Sequence, residues 1–330
     1  MSDASARLAM GERIRYWIET AGFFTAIGFF KLFPINTASA IGGWIGRRLI
    51  APTKLSARAY ENLRAAYPEK PDAEVAHIVR AMWDNLVRVF AEYGHLSKIK
   101  WRTANPRIEV AGVENFDAAR AEGKGILLIS AHFANWEIMP FAAREYGLSG
   151  GVVVRPTNNP YVAAWLDKVR SKSGLPEMIA KGAQGTRRIF TLLRKGDCIC
   201  ILVDQRASEG IPAPFFGRDV MTTPAPAALA IKLGAKIVPV CNERLRGAHF
   251  RMTVYPAIEP PHSGNADRDV LELTAAINAF VEARVRERPE QWLWIHQRWS
   301  KPGSKLRKRA QGLAGAGAGK RAESEGSSLT

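Results

Sequence analysis

The sequence predicts an α/β fold: a single domain with a mostly parallel central sheet flanked by helices, plus an N-terminal hydrophobic and amphipathic membrane-anchoring helix and a disordered basic C-terminal tail. Three observations lead there. Beyond Pro106, short apolar runs at 126–130, 152–154, 199–203, 237–241 and 251–255 alternate with helix-periodic segments at 136–146, 160–173, 184–195, 224–233 and 269–287, the order that builds parallel strands with helices on both faces. Hydrophobic residues make up 47% and charged residues 24%, ordinary globular usage that excludes a disordered, collagenous or disulfide-rich chain. The two ends depart from that average, one by apolar residues and the other by Gly, Ala, Ser and basic residues. The chain of 330 residues is longer than a typical domain, but one elaborated α/β domain reaches this length. The expected boundaries are a membrane-associating segment at 1–50, the α/β domain at 51–300 and the tail at 301–330.

At the N-terminus, residues 21–30 (AGFFTAIGFF) are continuously apolar or small, short of the roughly 20 residues a transmembrane helix needs. Basic residues lie on both sides (Arg13 and Arg15; Lys31, Arg47 and Arg48), so charge asymmetry gives no orientation. An interfacial anchor with Trp17, Phe23, Phe24, Phe29, Phe30 and Phe33 dipping into a bilayer is preferred over a span or a soluble core helix. A cleaved signal peptide fits poorly, because Pro34, Ile35 and Asn36 separate the apolar run from the small triplet Ala38-Ser39-Ala40. Two helices are expected next, at 56–68 and 73–98. The second carries Val75, Ile78, Val79, Met82, Leu86, Val87 and Phe90 near helical spacing, with Pro68 and Pro71 between the two.

The three cysteines, Cys198, Cys200 and Cys241, lack paired C-x-x-C spacing, which argues against a disulfide framework or structural zinc. Cys198 and Cys200 alternate with Ile199 and Ile201 and are expected to pack as small hydrophobes on one strand face.

Chemistry concentrates after the first central strand, in Ser130-Ala131-His132-Phe133-Ala134-Asn135-Trp136-Glu137. Aliphatics deliver His132 to the strand's carboxyl end, where ligand sites of open α/β sheets gather, and Asn135 is a good N-cap for the helix that Trp136 and Glu137 begin. In one continuous helix, residues five apart would face different ways, so a His132–Glu137 pairing needs a turn. With that turn, Glu137 is expected to fold back onto the imidazole, fix its tautomer and leave the other nitrogen to act as general base toward an acceptor hydroxyl. No G-x-S-x-G elbow supplies a serine nucleophile, and no H-E-x-x-H or third ligand accompanies the pair to hold a metal. On spacing alone, a satisfied polar contact or helix cap is the favoured reading of the pair.

The segment His132-Phe133-Ala134-Asn135-Trp136-Glu137 resembles the H-x4-D/E motif of membrane-associated acyltransferases, and its Asn-Trp-Glu form is similar to the lipid A biosynthesis lauroyl/myristoyl acyltransferases. Further blocks agree in order: Met82-Trp83-Asp84-Asn85-Leu86 with Glu92-Tyr93, Arg155-Pro156 with Asn158-Asn159-Pro160, Arg170, Asp204-Gln205, Pro214-Phe215-Phe216-Gly217, Pro289-Glu290-Gln291-Trp292 and His296-Gln297-Arg298-Trp299. The resemblance implies acyl transfer from an acyl-carrier-protein thioester to a hydroxyl of an acylated glucosamine disaccharide, a lipid A precursor, at the cytoplasmic face of the inner membrane. It implies His132 as base and Glu137 as its partner. Arg170, Asp204, Arg155 and Gln205 would bind substrate or stabilise the oxyanion, with no cofactor and no metal.

Each accessory residue also has a plainer reading. Arg155 can mark a strand end, Arg170 a surface charge, and Trp292, Trp294 and Trp299 core or membrane-interface aromatics, with core expected for at least one. Arg187 and Arg188 read as a solvated basic face, with carrier-protein docking the sharper option. The formal charge of +16, from 47 Lys and Arg against 31 Asp and Glu, favours acidic partners. Of this, the tail contributes +5. Two alternatives stay open: acyl-CoA-dependent acylation of another glycolipid or a phospholipid, for example a phosphatidylinositol mannoside, and a non-catalytic basic protein binding membrane or nucleic acid. Against nucleic acid, no helix-turn-helix, RNA-recognition or zinc-finger signature is present.

Overall fold

A computed structural model of the chain describes residues 10–155, 157–171 and 177–299. Pro156 and the basic tail expected at 301–330 lie outside the described residues.

The core is a seven-stranded sheet. Its strands are β1 (Ile108–Ala111), β2 (Ile126–Ser130), β3 (Gly150–Val154), β4 (Glu177–Ala180), β5 (Cys198–Leu202), β8 (Lys236–Arg246) and β9 (His249–Val254), in the order β1-β9-β8-β2-β5-β3-β4. Every neighbouring pair is parallel except the β8–β9 hairpin. A separate antiparallel hairpin, β6 (Ile211–Phe215) with β7 (Arg218–Thr222), lies between β5 and β8 in sequence. β2 and β5 sit centrally and bury both faces, so they read as unbroken apolar runs rather than alternating ones.

Helices cover the sheet: α5 (Val113–Ala121), α6 (Met139–Glu145), α7 (Pro160–Ser171), α8 (Ala183–Arg194), α9 (Ala225–Leu233) and α10 (Ala266–Glu287). Before it run α1 (Met10–Lys31), α2 (Ile35–Ile45), α3 (Ala57–Ala66) and α4 (Asp72–Glu92). α4 begins after Pro71 with Asp72 and Glu74 in its first turn, the end of a helix that favours acids. It buries Val75, Ile78, Val79, Met82 and Leu86, three or four residues apart. The expected helix to residue 98 ends as an α-helix at Glu92, and Tyr93–Lys98 continues as a tighter 3-10 segment. Glu92 and Tyr93 are turned inward there to partners described below.

No helix of the described residues is long and apolar enough to cross a membrane. α1 leaves Ile14, Trp17, Ile18, Phe24 and Phe29 exposed, and Leu32 just beyond it is exposed too. Two of the aromatics expected to enter a bilayer face the protein instead: Phe30 is buried, and Phe23 packs edge-on against Trp165 of α7 with ring centroids 5.2 Å apart. Asn159, which opens α7, donates to the Tyr16 carbonyl at 3.0 Å, so α1 is tied to the body by polar as well as aromatic contacts.

Cys198 and Cys200 are free and buried on the same strand face as Ile126 and Leu128 of β2, while Ile199 joins Leu127 and Ile129 on the other. Trp292, Trp294 and Trp299 are all core residues.

Candidate functional site

The site forms where β2 and β5 end side by side. Their parallel register sets Ser130 opposite Leu202, so His132 and Asp204, each two residues further on, become neighbours. His132 Nδ1 lies 2.8 Å from Asp204 Oδ1, and the His132 backbone N–H donates to Asp204 Oδ2 at 3.0 Å. Trp292 Nε1–H donates to Oδ2 at 2.8 Å, so both carboxylate oxygens are held. Burial alone would push the Asp204 carboxyl up. The charge of His132 and hydrogen bonds from its ring and backbone outweigh that, and Asp204 sits well below the usual carboxylate range.

Sequence spacing had Glu137 folding back onto the imidazole; Asp204 occupies that place. Glu137 instead receives Arg170 Nε at 2.9 Å and Nη2 at 2.6 Å, Tyr93 Oη–H at 2.8 Å and Trp136 Nε1–H at 3.2 Å. Asn135 caps the turn as anticipated, accepting the Glu137 N–H at 3.2 Å, and residues 136–138 form a 3-10 turn before α6 begins. The local turn therefore aims Glu137 at α7 and at the 3-10 segment that follows α4, while a residue about seventy positions downstream supplies the imidazole's acid. Burial would raise the Glu137 carboxyl, but the hydrogen bonds and charge of Arg170, with Tyr93 and Trp136, hold it below its ordinary value.

A cleft of about 390 Å³ opens over this pair. His132, Glu137, Arg155, Arg170, Lys181, Gln205 and His296 line its polar side, and Val152, Met178, Leu202, Met139 and Cys200 its apolar side. All six residues singled out from the sequence are thus brought together: five line the cleft, and Asp204 stands behind His132. Lys181 Nζ donates to Gln205 Oε1 at 3.4 Å, and Gln205 Nε2 lies 3.3 Å from His296 Nε2. Burial and the charge of His132 push His296 down to about 4, so it is neutral near pH 7. Behind Met139 and Cys200 lies a smaller cavity of about 50 Å³ walled by Phe116, Leu128, Val240, Met252 and Val254, sharing those two residues with the cleft.

The loop carrying His132 is held in an uncommon shape. Ala134 has φ +45°, left-handed backbone that costs a non-glycine residue about 1–2 kcal/mol. Asn85 donates to the Ala134 carbonyl at 3.1 Å, Ala134 N–H donates to Gln291 O at 2.9 Å, and Asn242 donates to Asn135 O at 2.6 Å. Asn135 Nδ2 donates at 2.7 Å to Glu92, which is fully buried and ion-paired with Arg244. Sequence reasoning placed Glu92, Tyr93, Asn85 and His296 in matching blocks but gave them no role; Lys181 and Arg244 carried no signal at all. The partners of each lie far along the chain.

Comparison with known proteins identifies the family. Residues 9–301 match the family model of bacterial lipid A biosynthesis acyltransferases. The lipid A biosynthesis lauroyltransferase of Escherichia coli K12 is 29% identical over 306 residues, covering 86% of this chain and 92% of that protein. The phosphatidylinositol mannoside acyltransferase of Mycobacterium tuberculosis H37Rv is 25% identical over 292 residues, covering 86% and 88%. The E. coli lipid A biosynthesis myristoyltransferase is 25% identical over 242 residues, covering 72% and 73%. These matches overturn the non-catalytic alternative, and the chain belongs to the bacterial lipid A biosynthesis acyltransferase family.

Proposed function

We propose that the protein transfers a fatty acyl group from an acyl-carrier-protein thioester to a hydroxyl of a lipid A precursor, working at the cytoplasmic face of the inner membrane. The observation that carries this reading is the buried Asp204–His132 pair at the mouth of a cleft with a cationic side and an apolar end. Asp204 holds Nδ1–H, which leaves Nε2 as the proton acceptor. The acceptor O–H gives its proton to Nε2 as its oxygen attacks the thioester carbonyl. Negative charge collects on the carbonyl oxygen; Arg155 and Lys181 supply positive charge in the cleft for it or for an acceptor phosphate, and Arg170, its charge balanced by Glu137, offers guanidinium N–H donors. Collapse of the tetrahedral intermediate breaks the carbon–sulfur bond, and the imidazolium returns the proton to the leaving thiolate. Glu137 acts by keeping Arg170 in place.

The apolar end of the cleft, with the small apolar cavity behind Met139 and Cys200, would receive part of the acyl chain away from water. The apolar face of α1 would rest in the bilayer and bring the cleft to a lipid acceptor. A second reading, with a mannose hydroxyl of a phosphoinositide as acceptor and acyl-CoA as donor, is favoured by the mycobacterial relative. Mass spectrometry of products from each acceptor with each acyl thioester separates the two. Ester formation on neither acceptor would reject both.

A further inference from the structure

A second feature lies on the α2–α4 face, outside the catalytic cleft. Gly42 and Gly46 let α2 meet α4 at backbone distance: a Cβ on Gly46 would stand 2.1 Å from the Trp83 carbonyl oxygen, and one on Gly42 2.8 Å from that of Val87. Immediately after α2, residues Gly46–Ile50 form a π-helical turn, a rare widening often found at functional sites. It carries Arg47 and Arg48 next to Arg80 and His77 on the first half of α4. Together with Pro52 and Ala81 they surround a hollow of about 400 Å³ to which no carboxylate contributes.

Arg47 is neutralised by its ion pair with Asp84, whereas Arg48, His77 and Arg80 are exposed and have no hydrogen-bond or ion-pair partner among the described residues. Guanidinium groups around a hollow match the oxygens of a phosphate. Exposed in the same stretch of chain are Trp44 on α2, about one turn before Arg48, Leu49 next to Arg48 in the π turn, and Leu55 just before α3, large apolar side chains that water does not favour. A soluble phosphate ligand gives those three no partner. A phosphate at the surface of a bilayer does, because acyl chains lie beside it.

We propose that this hollow binds the phosphate of an anionic lipid in the bilayer, with Arg48 and Arg80 as the main ligands and Trp44, Leu49 and Leu55 inserted beside it. The site acts in docking and has no part in proton transfer. It stands apart from the acyl-transfer reading, since its test reads vesicle binding alone.

The test is flotation of the full chain with vesicles of phosphatidylcholine alone or with phosphatidylglycerol added, comparing wild type, Arg48→Gln with Arg80→Gln, and a charge-matched control, Arg187→Gln with Arg218→Gln. All four positions are exposed, and circular dichroism checks folding. Expected is a loss of roughly thirtyfold in affinity for the anionic vesicles in the pocket pair, from the contribution of two basic side chains at an anionic surface, and under threefold in the control. On phosphatidylcholine alone the three proteins should bind alike. Equal losses in both pairs would mean diffuse charge attraction and overturn the proposal, as would an unchanged pocket pair. A third arm titrates inorganic phosphate into the free chain. Saturable binding that the pocket pair abolishes, with vesicle binding untouched, would assign the hollow to free phosphate and overturn the lipid assignment.

Discussion

Glu137 is turned away from the histidine five residues before it, toward Arg170, which it meets through two hydrogen bonds of 2.6 and 2.9 Å. Both side chains are largely buried, so this ion pair persists where water cannot replace either partner. Removing one partner of such a pair leaves an uncompensated charge and costs about 3–5 kcal/mol. Glu137→Gln and Arg170→Met should each lose stability on that scale. The double variant should lose clearly less than the sum, as read by urea unfolding of the four proteins.

Asp204 acts on the imidazole itself. Asp204→Asn keeps the shape but offers no second acceptor equivalent to the carboxylate and favours the wrong tautomer, so transfer should fall by roughly 10³–10⁴-fold with binding of the acyl donor little changed. Rates measured at saturating donor and acceptor check this. A deficit that appears only in KM would place Asp204 in substrate binding.

Met139 and Cys200 line both the cleft and the inner cavity. Enlarging Cys200 to Phe should fill the space where the two cavities adjoin and shift preference toward shorter acyl chains. Each excluded methylene is worth about 1–3 kcal/mol, or roughly 10–200-fold in relative transfer rate. Competition between thioesters of different length, read by mass spectrometry of the ester product, measures the shift.

His296 gives a pH signature. Its folded value of about 4 lies below the ordinary histidine value of 6.5, so the unfolded chain binds the proton more readily. Stability contributed by the neutral imidazole is therefore full above about pH 6.5 and is lost as pH falls through about 4, by roughly 3 kcal/mol in all. Unfolding free energies between pH 7 and 4 should fall less steeply in His296→Gln than in wild type over that window.

What the sequence made legible was local. Strand β2, its carboxyl-end histidine, the Asn135 cap and Asp204 at the end of β5 each announce themselves within a few residues. The pairing of His132 with Asp204 does not, because it depends on the register between β2 and β5, and nothing near Glu137 says that a closer acid will be displaced by a distant one. Strands β1 and β4 were missed for a related reason. Each has four residues with a charge inside or at its start, at the sheet's two edges, where burial imposes little pattern. The β6–β7 hairpin was hidden by Pro212 and Pro214, which normally argue against a strand. Its edge position tolerates them, and the turn at Phe216 and Gly217, both at positive φ, closes it.

The most direct measurement is nitrogen-15 NMR of the histidine rings, reading which nitrogen of His132 carries the proton in wild type, Asp204→Asn and Glu137→Gln. The expected result is a proton on Nδ1 and a bare Nε2 in wild type and in Glu137→Gln, with that tautomer lost in Asp204→Asn. The reverse, a tautomer indifferent to Asp204 and dependent on Glu137, would contradict the assignment of Asp204 as the acid that prepares His132.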